Sequence, residues 1–134
     1  MGEVNWIAVI AAGLSAMVLG GLWYSPLLFL KVWQAGAGIS DEQMQAKMGH
    51  PALVYGGSTL ISLVAAFVFS MFLGPKPSLE LGLQAGVSAG LFWVAGSFAI
   101  NYLFENKPLK LFLVNGGYHT VQFTLYGAIL SVLG

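Results

Sequence analysis

The sequence predicts an all-α integral membrane protein, a four-helix bundle that forms a single domain over residues 1–134. Composition is the first reason: 57% of the residues are hydrophobic and 7% are charged, whereas a typical soluble domain has about 25% charged residues. The second reason is the length of the apolar runs, because about 20 apolar residues suffice for a helix to cross the hydrocarbon core. Four such runs occur, at about 5–29, 51–73, 79–104 and 111–133.

The charge balance and the missing residue types exclude several classes of protein. The formal net charge is zero, and the chain has no arginine and no basic cluster. Nucleic acid is therefore not an expected partner, whereas membrane lipid is. Without cysteine there is no disulfide and no thiolate metal site. The two histidines, His50 and His119, have no carboxylate at ligand spacing, so we expect no metal and no cofactor. Paired carboxylates, a Ser/His/Asp set and a phosphate-binding loop are also missing, so we do not expect an enzyme.

We interpret the first apolar run as a retained span and not as a cleaved signal peptide. A signal peptide begins with a basic segment, whereas the only charged residue before this run is Glu3. Near the end of the run, Pro26 cannot donate a backbone hydrogen bond to the carbonyl of Leu22. We expect water or the Ser25 hydroxyl to satisfy that carbonyl.

The polar connection at residues 30–50 contains the signature of a short helix at about 41–48. Ser40 and Gln43 have the spacing of a capping box, in which each side chain bonds to the other residue's backbone. The two methionines of this helix share one face. The helix therefore either lies on the membrane surface or is a simple linker.

Small residues mark the faces along which the spans are expected to pack. In the third span, Gly82, Gly86 and Gly90 recur at every fourth position, a spacing that lets another helix approach closely. This face has more small residues than one contact within the chain needs. We therefore expect a homo-oligomer, most simply a two-fold dimer.

The lysines predict the orientation in the membrane. Four of the five lysines lie in the loops at 30–50 and 105–110, and Lys76 alone lies on the opposite side. Cytoplasmic loops of membrane proteins carry an excess of Lys and Arg. We therefore expect these two loops to be cytoplasmic and both termini to be outside.

The spans also contain an internal repeat. Shifting the second span by 60 residues places its Gly-Gly pair at 56–57 on the pair at 116–117. The first and third spans share the pattern Gly-X-Ser-Ala, at 13–16 and 86–89. Both hairpins run in the same direction, so the predicted architecture is two parallel helical-hairpin repeats. The alternative is chance similarity between apolar segments rich in glycine and alanine.

A polar stripe runs along the fourth span, within residues 115–126 (NGGYHTVQFTLY). At about 100° per residue, the polar side chains of this segment fall in one arc of roughly 100°. They are Asn115, Tyr118, His119, Gln122 and Tyr126. Polar side chains in hydrocarbon need hydrogen-bond partners or water, so this stripe has to face other polar groups.

Polar residues of all four spans lie in the half of the bundle that is predicted to be cytoplasmic. We therefore predict a polar pocket that opens toward the cytoplasm, lined by the stripes of the second and fourth spans, with His119 near its floor. The candidate ligand-binding residues are Tyr24, Tyr55, Ser58, Thr59, Ser62, Ser97, Asn101, Asn115, Tyr118, His119 and Gln122.

Two kinds of function are compatible with this pattern. In the first, the pocket binds or transports a small molecule or a lipid, since polar groups facing a bundle interior are often functional. Four-span drug exporters have a similar size, but they rely on an acidic residue deep in the first span, and this chain has none between Asn5 and Phe29. In the second, the chain is a structural or accessory membrane protein, and the stripe only packs the bundle.

Two segments together resemble a known protein family. Residues 19–29 (LGGLWYSPLLF) are similar to the end of the family's first helix, and residues 101–119 (NYLFENKPLKLFLVNGGYH) are similar to its third-to-fourth junction. The family consists of small bacterial membrane proteins and is catalogued as domain of unknown function 1761. The resemblance implies a four-span protein of the bacterial cytoplasmic membrane. It implies no activity.

Overall fold

The computed structural model describes residues 4–47 and 51–134, in which every regular element is a helix. In chain order the elements are α1 (Trp6–Trp23), α2 (Leu30–Ala37), α3 (Asp41–Lys47), α4 (Pro51–Leu73), α5 (Leu79–Ser88), a π-helical segment (Ala89–Ala95), α6 (Gly96–Glu105) and α7 (Leu109–Leu133). The run Leu79–Glu105 is continuous and is called the third helix below. His50 and the end of the helix predicted at about 41–48 lie outside the described residues.

Three helices of the described part are long and apolar enough to cross a membrane: α1, α4 and the third helix. The all-α prediction is confirmed, and the helices have the character of membrane spans. With 25 residues, α7 is the longest single α-helix, but it carries the polar stripe and is not among these three.

The first helix ends at Trp23, earlier than the span predicted to reach residue 29. Pro26 explains the difference, because it cannot donate to the helix ladder and disfavours helical backbone at the preceding residue. As expected, the Ser25 hydroxyl donates to the Leu22 carbonyl, over 2.6 Å. A short turn then leads into α2, which the sequence does not predict because eight residues are too few for a clear periodicity.

The capping box before α3 is confirmed. The Ser40 amide donates to Gln43 Oε1 over 2.9 Å, and the Gln43 amide donates to Ser40 Oγ over 3.2 Å. Gln34, buried on α2, donates to Asp41 Oδ1 over 2.6 Å and so ties the two short helices together. Gly36 packs against Leu111 at the start of α7. The short helices therefore cover one end of the molecule.

The central helix of the molecule is α7. It packs against α1 on one side and against α5 and the π-helical segment on the other, while α4 packs mainly against α1. The four long helices therefore lie in the order α4, α1, α7, third helix. The buried core includes Ala12 and Ala16 of α1 and Tyr126 of α7. Small residues of α1 let the helices on either side of it approach closely.

The glycines of the third helix are in direct contact with the backbone of α7. A Cβ atom on Gly90 would lie 2.7 Å from the His119 carbonyl oxygen and from Thr120 Cα. Gly86 meets the backbone of Thr124 in the same way, and Gly82 meets Gly127 and Ser131. The predicted close-packing face is thus occupied within the chain.

The outermost helix is α4, and it separates from α7 and from the third helix over most of its length. Residues 51–56 are all exposed. Closer to its middle, Leu63 packs on Gly13 of α1, where a Cβ atom would lie 2.9 Å from Leu63 Cα. Because α4 packs mainly against α1, open spaces remain on both of its other sides.

Candidate functional site

A groove lies between α1, α4 and α7 at the end of the molecule that α2 and α3 cover. Its volume is about 670 Å³. The described residues that line it are Ala16, Met17, Gly20, Gly21, Tyr24, Trp33, Met44, Val54, Tyr55, Ser58, Asn115 and Tyr118. We call it the aromatic groove. None of these side chains is charged, so among the described residues the groove offers aromatic, apolar and neutral polar surface.

The local sequence of α1 makes room for the groove. Gly20 lies opposite Tyr118, and a Cβ atom on Gly20 would be 3.4 Å from the Tyr118 hydroxyl oxygen. A Cβ atom on Gly21 would meet nothing within 4 Å. Together with the divergence of α4, these two glycines leave the face of α7 uncovered at this level.

Hydrogen bonds hold the polar side chains of the groove in place. The Tyr118 hydroxyl donates to the Ala16 carbonyl over 2.9 Å, and the Tyr24 hydroxyl donates to Asn115 Oδ1 over 2.6 Å. The amide nitrogen of Asn115 in turn donates to the Tyr102 hydroxyl over 2.7 Å. A phenol that has donated its proton still accepts hydrogen bonds. Tyr24 and Tyr118 therefore present acceptor oxygens toward the groove.

The other residues of the polar stripe are His119, Gln122 and Tyr126. Together with Ser62 of α4 they form a series of hydrogen bonds that we call the buried polar chain. His119 Nδ1 donates to Gln122 Oε1 over 2.6 Å, since an amide oxygen only accepts. Gln122 Nε2 donates to the Tyr126 hydroxyl over 2.8 Å. The hydroxyls of Tyr126 and Ser62 lie 2.6 Å apart, and Ser62 donates to the Gly13 carbonyl over 2.8 Å. This chain connects α7 to α4 and α1.

His119 faces α6 and not the aromatic groove. Its ring stacks on Phe98, with ring centroids 5.2 Å apart and planes 12° apart. Gln122 and Ser62 are buried, and Tyr126 is completely buried. In the part of the chain that the structure describes, every buried side-chain nitrogen and oxygen has a hydrogen-bond partner. The buried polar chain is thus a satisfied contact between helices.

The residues predicted to form one pocket fall into three groups. The aromatic groove contains five of them, namely Tyr24, Tyr55, Ser58, Asn115 and Tyr118. The buried polar chain contains Ser62, His119 and Gln122. The remaining three lie apart from both, namely Thr59, whose hydroxyl bonds to the Tyr55 carbonyl, and Ser97 and Asn101, which are exposed on α6.

Sequence reasoning misses two walls of the aromatic groove. Trp33 and Met44 come from α2 and α3, which fold back over the ends of the long helices. Helical periodicity within a span carries no information about such a fold-back. In the described residues, no three His, Asp or Glu side chains come together as a metal-binding group.

A match to a known protein family shows which family the chain belongs to, but that family has no known function. Residues 7–131 match the family described as "Protein of unknown function (DUF1761)". The chain belongs to this family. The match covers nearly the whole of this chain, and it confirms the family resemblance of residues 19–29 and 101–119. No curated protein and no solved structure matches it. A function for this DUF1761 protein must therefore be argued from its own geometry.

Proposed function

We propose that this protein binds an uncharged small molecule or lipid in the aromatic groove. The observation that carries the proposal is a groove of about 670 Å³ with aromatic and neutral polar walls, which lies beside the central helix. Ligand pockets typically have volumes of about 300–1,000 Å³ and combine apolar walls with a few fixed polar groups. Tyr24, Asn115 and Tyr118 are such groups, because hydrogen bonds fix each of them.

The chemistry of the groove favours a particular class of ligand. An ion would lose its hydration there without gaining a counter-charge from the described walls, and this loss is costly. The tyrosine oxygens accept hydrogen bonds, and the rings of Trp33 and Tyr55 present flat apolar faces. The preferred ligand is therefore a neutral, partly aromatic or amphipathic molecule with a hydrogen-bond donor.

The proposal includes four spans, with α7 as the fourth, in a bacterial cytoplasmic membrane. Neighbouring helices flank α7 on both sides, which supports its passage through the bilayer despite its polar stripe. The loops that carry four of the five lysines lie at the end that α2 and α3 cover, since Gly36 meets Leu111 there. The aromatic groove lies at this same end and would open toward the cytoplasm.

The proposal also includes the two parallel hairpin repeats. In the first hairpin, Gly13 packs against Leu63. In the predicted repeat, the first span aligns with the third at an offset of 73 residues, which places Gly13 on Gly86. The second span aligns with the fourth at an offset of 60 residues, which places Leu63 on Phe123. Gly86 packs against the backbone of Phe123. Equivalent positions thus make equivalent contacts, which supports the repeat over chance similarity.

A second candidate function is a structural or accessory role for the polar stripe. The buried polar chain supports it, because Ser62, Gln122 and Tyr126 are buried and bonded to one another. We infer that the stripe is divided: its Gln122 and Tyr126 side holds helices together, and its Asn115 and Tyr118 side lines the aromatic groove.

A homo-oligomer stays a prediction. The three glycines of the third helix that suggested it lie against α7, so a dimer would have to use other surfaces. Single-molecule photobleaching in lipid tests the prediction, and a purely monomeric population would contradict it.

The aromatic groove can be tested by filling it. Gly21→Leu places a side chain in open space within the groove, whereas Gly56→Leu places the same side chain in open space outside it. Native mass spectrometry of the protein released from nanodiscs would report a co-purifying small molecule. We expect it on the wild type and on Gly56→Leu, but not on Gly21→Leu. An empty wild-type protein, or equal retention by both variants, would contradict the proposal.

A further inference from the structure

A second opening lies on the other side of α4, between α4 and the third helix. Two adjoining cavities of about 300 and 330 Å³ share the same walls, formed by Phe69 and Phe72 of α4 and by Ala89 and Trp93 of the π-helical segment. We call this opening the lateral cleft. It is separate from the aromatic groove, which shares none of these lining residues.

The polarity of the lateral cleft changes along its length. Apolar atoms alone line the middle part, where Val68 and Phe123 complete the walls. Next to Trp93 the cleft adjoins an open depression on the third helix, which includes the polar side chains of Ser97 and Asn101. Asn101 lies close to the end of the third helix at Glu105. One end of the cleft is therefore polar and near the membrane interface, while the middle is apolar.

We propose that the lateral cleft binds one acyl chain of a membrane phospholipid, with the lipid headgroup beside Ser97 and Asn101. Both walls belong to helices that are long and apolar enough to span a membrane, so the cleft faces the bilayer. Water is a poor occupant of a purely apolar space, whereas a hydrocarbon chain loses nothing by entering it. Phospholipid is the bilayer component that supplies such a chain together with a polar group at the interface.

The dimensions agree with a lipid of one leaflet. From Asn101 to Ala89 the third helix rises by about 18 Å at about 1.5 Å per residue. Half the thickness of the hydrocarbon core is about 15 Å. A chain that starts at the polar end would therefore reach the shared apolar walls at Phe69 and Trp93 near the middle of the bilayer.

A photoreactive lipid tests this proposal directly. The intact protein would be reconstituted in nanodiscs of phosphatidylcholine that carries a diazirine at the middle of one acyl chain. After illumination, mass spectrometry locates the labelled residues. Ile61 and Val64 provide the reference for ordinary surrounding lipid, because they are exposed on α4 outside the lateral cleft. We expect labelling of Phe69 and Trp93 to exceed that of the reference about tenfold, a preference of about 1.4 kcal/mol.

A matched pair of variants shows whether the labelling depends on the cleft. Val68 lines the cleft and is 42% exposed, whereas Val87 lies outside it and is 39% exposed. Val68→Phe should reduce labelling of Phe69 and Trp93 to the reference level, and Val87→Phe should leave it unchanged. Equal labelling of cleft and reference in the wild type would overturn the proposal on its own, as would an undiminished signal in a folded Val68→Phe protein.

Discussion

Tyr126 is the residue on which the contacts among α1, α4 and α7 converge. It is the large side chain that the structure buries completely in the described part of the protein. Its hydroxyl accepts a hydrogen bond from Gln122 and lies 2.6 Å from Ser62 Oγ, which in turn bonds to the Gly13 carbonyl. Removing this one oxygen would leave the amide of Gln122 without its acceptor in a buried position.

We predict that Tyr126→Phe destabilises the protein by about 1–3 kcal/mol, the usual cost of leaving a buried polar group unsatisfied. Unfolding by titration with sodium dodecyl sulfate in mixed micelles measures this change. Tyr55→Phe is the matched control, since Tyr55 is 57% exposed and its loss of a hydroxyl should leave the unfolding midpoint unchanged. Equal stability of the two variants would show that the buried polar chain contributes little.

At the scale of elements, the contact between the third helix and α7 depends on glycine. At Gly86 a Cβ atom would lie 2.8 Å from Thr124 Cα, and the obstacle is backbone that no side-chain rotation can move. The π-helical segment begins shortly afterwards, at Ala89. The close contact at Gly86 thus lies shortly before the π-helical segment, which includes Trp93 of the lateral cleft.

Alanine substitutions at two helical glycines should therefore have opposite effects on stability. We expect Gly86→Ala to destabilise the protein, because its methyl group would force the third helix away from α7. Gly56→Ala should stabilise it by about 0.5–1 kcal/mol, since a Cβ atom there meets nothing and glycine is unfavourable within a helix. Thermal unfolding in detergent compares the two variants with the wild type, and a stable Gly86→Ala protein would refute the close contact.

At the scale of the whole molecule, α4 separates two openings of different character. The aromatic groove lies on its α1 and α7 side and has neutral polar walls, while the lateral cleft lies on its third-helix side and is apolar in the middle. Both openings therefore have α4 as one of their walls.

The orientation of the molecule is testable with single cysteines, because the chain has no cysteine of its own. Glu42, Glu80 and Glu105 are exposed, and replacing them leaves the lysines in place. In intact cells, a membrane-impermeant maleimide should label Glu80→Cys, and it should label Glu42→Cys and Glu105→Cys only after the membrane is opened. The reverse pattern would place the termini in the cytoplasm.

The sequence by itself determined the features that depend on near neighbours along the chain. Three helices long and apolar enough to cross a membrane follow from the length of the apolar runs. The end of α1 follows from Pro26, and the cap of α3 follows from Ser40 and Gln43. The glycine spacing of the third helix correctly indicated a close helix contact. Each of these features depends on backbone hydrogen bonding or on side-chain size within a few residues. Such local features can be predicted from the sequence alone.

Only the tertiary structure decided how the polar stripe of α7 is used. Periodicity places Asn115, Tyr118, His119 and Gln122 on one face, but an arc of roughly 100° is wide enough to meet more than one neighbour. Which residue faces α1, α4 or α6 depends on how these helices pack around α7, and that packing involves residues far apart in the chain. His119 therefore stacks on Phe98, while Tyr118 lines the aromatic groove.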